Sequence, residues 1–151
     1  MHKLKLSTKA KTFEGLSKII KSAQVLPLSR FSISEYKNDS SKIINLVQGN
    51  FSKHIIVRSS SSNEDNFETS NAGGFESIAN VNVKDSHAVK KAIEEVISSY
   101  GKNPHKDDEI FVQPMLDNVT MSGVVFSSDL DTLSPYYIIN YDESGSTDSV
   151  T

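Results

Sequence analysis

The run His54-Ile55-Ile56-Val57 stops abruptly at Arg58 and a row of four serines, Ser59 to Ser62. A short β-branched run bounded by polar residues reads as a strand, here over His54–Val57. From Ser59 the chain runs about 15 residues through an acidic segment to Gly73-Gly74. That exceeds an ordinary connection and favours a functional loop. A strand end that carries an arginine, hydroxyls and then a glycine pair places donors together. Glycine lets backbone N–H groups approach a ligand closely, and the guanidinium fork matches phosphate oxygens. The residues therefore suggest a phosphate-handling loop at a sheet edge. A serine-rich surface loop is the alternative on these residues alone.

The flanking chain supplies both helices and strands. Ser7 and Thr8 are N-cap types, and Phe13, Leu16, Ile19 and Ile20 follow at helical spacing, which predicts a helix over Lys9–Ser22. Pro27 makes Val25–Leu28 an extended link. Arg30–Ile33 alternates as a strand, and Ser34–Asp39 reads as a turn. A second helix is expected from Ser40 or Ser41 to Gln48, ended by Gly49. A strand should leave the glycines with Phe75, Ser77, Ala79 and Val81 on one side. The strongest helix follows: Asp85 or Ser86 starts it, Val89, Ala92, Ile93, Val96, Ile97 and Tyr100 form one stripe, and Gly101 closes it. Glu109–Met115, Ser122–Ser127 and Tyr136–Tyr141 are strand-like with almost no helix between them, so the class is α+β.

Composition excludes several functions. Among 151 residues there is no cysteine, which removes disulfide scaffolds, thiolate metal sites and cysteine nucleophiles, and fits a cytoplasmic setting. The net charge of −3 provides no basic field for a nucleic-acid partner. No apolar run approaches the ~20 residues that cross a bilayer, so no membrane partner is expected. His2, His54, His87 and His105 share no spacing and read as ordinary surface or strand-end residues.

Taken in order, four segments resemble the nucleotide-binding region of the phosphoenolpyruvate synthase and pyruvate phosphate dikinase family. Val57-Arg58-Ser59-Ser60-Ser61-Ser62-Asn63-Glu64-Asp65 is similar to that family's Val-Arg-Ser-Ser-Ala-Thr-x-Glu-Asp. Asn71-Ala72-Gly73-Gly74-Phe75-Glu76-Ser77 and the following Asn80-Val81 resemble its Phe-Ala-Gly-Gln-x-Glu-Thr-x-x-Asn-Val. Val112-Gln113-Pro114-Met115 and Ser122-Gly123-Val124-Val125-Phe126-Ser127 resemble its Val-Gln-x-Met and Ser-Gly-Val-x-Phe-Thr. Where the family opens its first helix with Gly-Gly-Lys-Gly, this chain has Ser7-Thr8-Lys9-Ala10, which keeps the lysine without the glycines. Where the family has Gly-Leu-Gly-Glu, Ser144-Gly145-Ser146-Thr147-Asp148 puts Asp148 at the glutamate's place.

The resemblance implies an ATP-grasp-like fold cut short at its C-terminus, with residues 1–108 as the first subdomain and 109–151 as an incomplete second. It implies ATP and Mg2+ as cofactors, and transfer of a phosphoryl or pyrophosphoryl group through a histidine on another domain. The acceptor would be a small molecule bound by domains absent here, pyruvate-like or, by likeness to kinases of polysaccharide loci, L-glutamine. The magnesium ligands and the phosphorylated histidine would lie beyond Thr151, and the piece alone would be inactive. Arg58 and Lys9 would be the catalytic cations on the phosphates, with Ser59 and Ser60 beside them. Gly73 and Gly74 would cover the phosphates, Gln113 and Met115 would serve the adenine, and Asp148 would contact the nucleotide. Each has a plainer alternative: an ion pair of Arg58 with Glu64 or Asp65, a solvated Lys9, a tight turn at the glycines, a core Met115. The rival function is a non-catalytic module for a phosphorylated or acidic ligand.

Overall fold

The computed structural model describes residues 7–61, 65–66, 69–70, 76–101, 104 and 108–145. The chain divides into two compact units, residues 1–115 and 116–151. In the first, the elements are α1 (Lys9–Leu16), β1 (Ser29–Ser32), α2 (Ile33–Asn38), α3 (Ser40–Asn50), β2 (His54–Ser60), β3 (Asp65–Asn66), β4 (Thr69–Ser70), β5 (Ser77–Asn82), α4 (Ser86–Ser99) and β6 (Glu109–Pro114). The main sheet has the order β1-β6-β2-β5, with antiparallel neighbours throughout. The mixture of helices with antiparallel sheets is the α+β class that the order of elements predicts. β6, assigned by the resemblance to the opening of a second subdomain, is hydrogen-bonded on both edges inside this sheet.

Residues directly opposite each other across a ladder share a face, so the register gives the sheet two unlike sides. Val57↔Val112, Ser59↔Ile110 and Phe31↔Ile110 put one set of partners on an apolar side. There Phe31, Ile55, Val57, Val81, Ile110 and Val112 join side chains of α2, α3 and α4 in one core. Ile56↔Gln113, Arg58↔Phe111, Arg30↔Phe111 and Ser60↔Glu109 define the other side. Phe111 is fully buried yet stands outside that core. It meets the Phe13 ring of α1 at 6.0 Å between centroids, so α1 lies on this second, polar face.

Several elements differ from their sequence reading for local reasons. α1 ends at Leu16, not Ser22. Ser17 Oγ donates to Glu14 O, and Lys18 and Ile19 make i→i−3 bonds that tighten the last turn. Ile19, counted in the apolar stripe, is exposed. The expected turn Ser34–Asp39 is the helix α2, opened by a capping box: Ser32 Oγ accepts from Glu35 N, and the Glu35 carboxylate accepts from Ser32 N. Gly49 does not end α3, which runs to Asn50, with Phe51 N donating to Val47 O.

β2 continues past Val57 because Arg58, Ser59 and Ser60 each keep a partner on β6. β5 changes facing part-way along, since its register to β2 shifts between Ile55 and Val57 and Asn80 adopts φ +57°. This bulge turns Ile78 and Val81 toward the core in place of Ala79. α4 matches its reading: Asp85 Oδ1 accepts from His87 N and Ala88 N, and Gly101 follows with φ +76°.

The second unit carries the hairpin β7 (Ser122–Phe126) and β8 (Ile138–Asp142). Gly123 is required there, because a Cβ would stand 2.6 Å from Asn140 O. The strand expected from Tyr136 starts at Ile138, after a loop organised by Asp129 Oδ1, which accepts from Asp131 N, Thr132 N and Thr132 Oγ1. Those bonds hold the Asp129 carboxyl below its usual range.

The capping box gives the first prediction. Ser32→Ala should destabilise the protein by about 1 kcal/mol at neutral pH, read from the urea midpoint. The bonds from Ser32 N and Oγ hold the Glu35 carboxyl below its ordinary value. With a depressed folded-state pKa, its contribution is present above the free carboxylate value of about 4.3 and disappears as pH falls through the depressed value. The stability gap between wild type and Glu35→Gln should therefore close in acid.

Candidate functional site

The polar face of the sheet is built around one rung, Ser60↔Glu109, where β2 ends and β6 begins. Glu109 is a carboxylate with a side chain only 7 % exposed. Burying such a charge requires partners, and three residues from α1 and β1 supply them. Thr8 Oγ1 donates to Oε2 at 3.0 Å from the head of α1. Lys11 Nζ lies 3.2 Å from Oε1, one helical turn further along. Arg30 Nη1 reaches the same oxygen at 2.6 Å from β1. Arg30 also forms a two-pronged contact with Glu14 of α1, through Nε at 3.1 Å and Nη2 at 3.2 Å. The Glu14 hydrogen bond raises the Arg30 pKa, burial works against it, and the Glu109 charge adds to the rise. One carboxylate thus ties together α1, β1 and β6.

Ser60 completes the rung from the other strand. Its Oγ accepts from Ala10 N at 2.9 Å, within the first turn of α1. The N-cap residue Thr8 makes no side-chain cap bond. A serine some fifty residues away therefore does what an N-cap normally does locally, and the Thr8 hydroxyl turns to Glu109. Ser60 N donates to the Tyr100 hydroxyl at 2.7 Å, and that hydroxyl donates to Glu109 O at 2.6 Å. A phenol from the end of α4 is inserted where the two strands would otherwise bond directly. Next to this rung, Ser61 Oγ donates to buried Asp108 at 2.6 Å.

Lys9 sits at the first position of α1, between Thr8 and Ala10, at the Ser60 end of β2. Arg58 lies two residues back along β2 on the same polar face, its guanidinium carbon 5.7 Å from the Phe111 ring centroid. That cation–π contact holds the planar group, at about 0.5–1 kcal/mol. Gln113 is buried on the same face, one alternation further along β6, or about 7 Å from Phe111. Met115 follows at the same parity, and its N–H donates to His54 O at 2.9 Å. That amide belongs to the ladder, so reading of a ligand edge there falls to other groups. Ser59 turns to the apolar side and is buried, and Ser60 is fully buried beneath α1.

The fold thus brings Arg58, Ser60, Gln113 and Met115 along one ladder on one face, with Lys9 on α1 beside its Ser60 end. Gly73, Gly74 and Asp148 lie outside the described residues, as do Ser62, Asn63 and Glu64. Sequence reasoning missed Thr8 in its second role, and Lys11, Arg30, Tyr100 and Glu109 altogether. Only Glu109 left a trace, as a charge opening an otherwise apolar strand. Among the described residues no group of three or more carboxylate, histidine or cysteine side chains is placed to hold a metal ion. Glu109 is already engaged by Thr8, Lys11 and Arg30, so a site for Mg2+ does not fit it. Among the same residues no helix is long and apolar enough to cross a membrane.

The family model of the pyruvate phosphate dikinase AMP/ATP-binding domain matches residues 6–141. The chain belongs to that family. No curated protein and no solved structure matches it.

The inserted phenol can be tested directly. Tyr100→Phe keeps the ring but strips Ser60 N and Glu109 O of their shared partner. It should lower stability by about 1–3 kcal/mol, measured by urea unfolding, and speed hydrogen exchange at the Ser60 amide ahead of the core of β2.

Proposed function

We propose, from that family membership, that the chain is the ATP-binding part of a dikinase-type phosphotransferase, with the nucleotide lying along the polar face of the β2–β6 ladder. The observation that carries this is the order of the side chains. Lys9 and Arg58 stand toward the Ser60–Glu109 end, and Gln113 and Met115 stand toward the other. An extended nucleotide has the same polarity, with a polyanion at one end and a flat, hydrogen-bonding base at the other.

In this reading Arg58 binds phosphate oxygens with its fork, pre-oriented by Phe111, and Lys9 adds a point charge. Positioning and charge stabilisation are most of what phosphoryl transfer asks of a protein. Gly73 and Gly74 would cover the phosphates through backbone N–H groups, and Asp148 would be a nucleotide contact. Gln113 and Met115 would flank the adenine. Ser60 would contribute through α1, not by touching phosphate. Mg2+ would arrive with ATP and be held by residues other than those described.

We further propose an ATP-grasp-like arrangement of two subdomains, an acceptor bound elsewhere in the protein, pyruvate-like or L-glutamine, and action in the cytoplasm. The rival reading, a module in which the serine row meets a phosphorylated partner, is disfavoured by the burial of Ser59, Ser60 and Ser61.

Calorimetric titration of the chain with MgATP tests the reading. Saturable binding is expected, weakened about tenfold or more in Arg58→Ala, as for loss of a charge-assisted hydrogen bond. Arg58→Lys should recover only part of it, because the fork is lost. Equal affinity of Arg58→Ala and wild type, with the fold intact by circular dichroism, would sink the assignment. Binding of a phosphopeptide without MgATP would favour the module instead.

A further inference from the structure

The residues on both sides of Lys9 are tied to the same rung of the sheet. Thr8 donates through its hydroxyl to Glu109, and Ala10 donates through its amide to Ser60. Ser60 and Glu109 are themselves cross-strand partners. Thr8, Ala10, Ser60 and Glu109 are all buried, at 5 %, 0 %, 0 % and 5 % exposure. We propose that the Ser60–Glu109 rung is a positioning clamp for Lys9, holding its main chain from both sides and setting it in register with Arg58 on the same strand. The proposal rests on the reading of Lys9 as a phosphate ligand.

The physical reason for such a clamp lies in the side chain it serves. A lysine is a point charge on a long flexible stem, and ordering it costs about 2 kcal/mol of rotamer entropy. It can work as a phosphate ligand only if its root is fixed. The family's opening glycines are replaced here by Ser7, Thr8 and Ala10. One of those replacements supplies a clamping group, the Thr8 hydroxyl, while the Ala10 contact uses a main-chain amide that any residue but proline would offer. The strand that supplies Ser60 also carries Arg58 two residues earlier, so one rigid element sets both cations. The remaining charges near the rung are arranged around the clamp. Arg30 and Lys11 meet the Glu109 carboxylate, and Glu14 meets Arg30, so the carboxylate presented to Thr8 is itself held.

The role is that of positioning residues acting through Lys9, and a double-mutant cycle separates it from plain support. Thr8→Val removes the hydroxyl with little change of shape. It should weaken MgATP binding by the chain about 3–10-fold, the range for one hydrogen bond, while Thr8→Ser stays within about twofold of wild type. In a Lys9→Ala background the Thr8→Val effect should vanish to within about twofold, because the residue it acts through is gone. A second readout needs no nucleotide. Trypsin cleavage of the Lys9–Ala10 bond, measured by mass spectrometry relative to cleavage after Lys18, should rise several-fold in Thr8→Val and not in Thr8→Ser. If Thr8→Val does not fold, Ser60→Ala, which releases the Ala10 amide, enters the same cycle. Additive losses in the cycle, or unchanged cleavage at Lys9, overturn the clamp. Absence of MgATP binding by the wild-type chain, with cleavage still rising in Thr8→Val, instead overturns the functional reading and removes the purpose of the clamp.

Discussion

A buried carboxylate is the constraint on which this fold turns. Removing Glu109 from water would cost several kcal/mol without compensation, and its compensation comes from α1 and β1, elements distant in sequence. Thr8, Lys11 and Arg30 must converge for Glu109 to be tolerated at the start of β6. Its presence therefore selects arrangements in which α1 crosses that end of the sheet. Apolar replacement of buried ion pairs is often neutral or stabilising, whereas this charge calls Thr8, Lys11 and Arg30 together. What it provides is a unique position for the head of α1.

The same logic explains why one side of the sheet is available for chemistry. Helices α2, α3 and α4 draw the apolar residues of β1, β2, β5 and β6 to one side. That leaves Arg30, Arg58, Ser60, Glu109 and Gln113 on the other, a set of side chains no ordinary core would gather. α1 lies over the part near Glu109 and contributes Phe13 to bury Phe111. Apolar cover on one side makes the sheet rigid, and the polar side can then hold side chains at set spacings of two residues along a ladder.

Much of this was legible from local pattern, and the failures have local causes too. α4 is readable because its stripe, its Asp85 cap and its closing Gly101 all agree. α2 was misread although Ser32-Ile33-Ser34-Glu35 spells a capping box, because the alternation of the preceding residues suggested a continuing strand. The facing of β5 was not readable, since it depends on Asn80 entering the left-handed region, which one asparagine among many does not announce. β2 is longer than its apolar run because Arg58, Ser59 and Ser60, loop-like in sequence, find partners on β6 that make them a strand. Glu109, Arg30 and Tyr100 meet across separations of nine to seventy-nine residues, and no window of the sequence contains that meeting. The family's motifs located the ladder and its arginine without disclosing what holds the lysine.

The phenol of Tyr100 has a mechanical consequence. Two antiparallel strands ordinarily fray from their ends, one main-chain bond at a time. Here a main-chain link at the end of β2 and β6 runs through Tyr100, the residue that follows α4. Opening the Ser60–Glu109 rung means parting with the Tyr100 hydroxyl, and moving Tyr100 away strips both strands of that partner. The end of α4 and the strand pair thus share a latch, which couples loosening of the segment bearing Arg58 and Ser60 to the helix packed on the far side of the sheet.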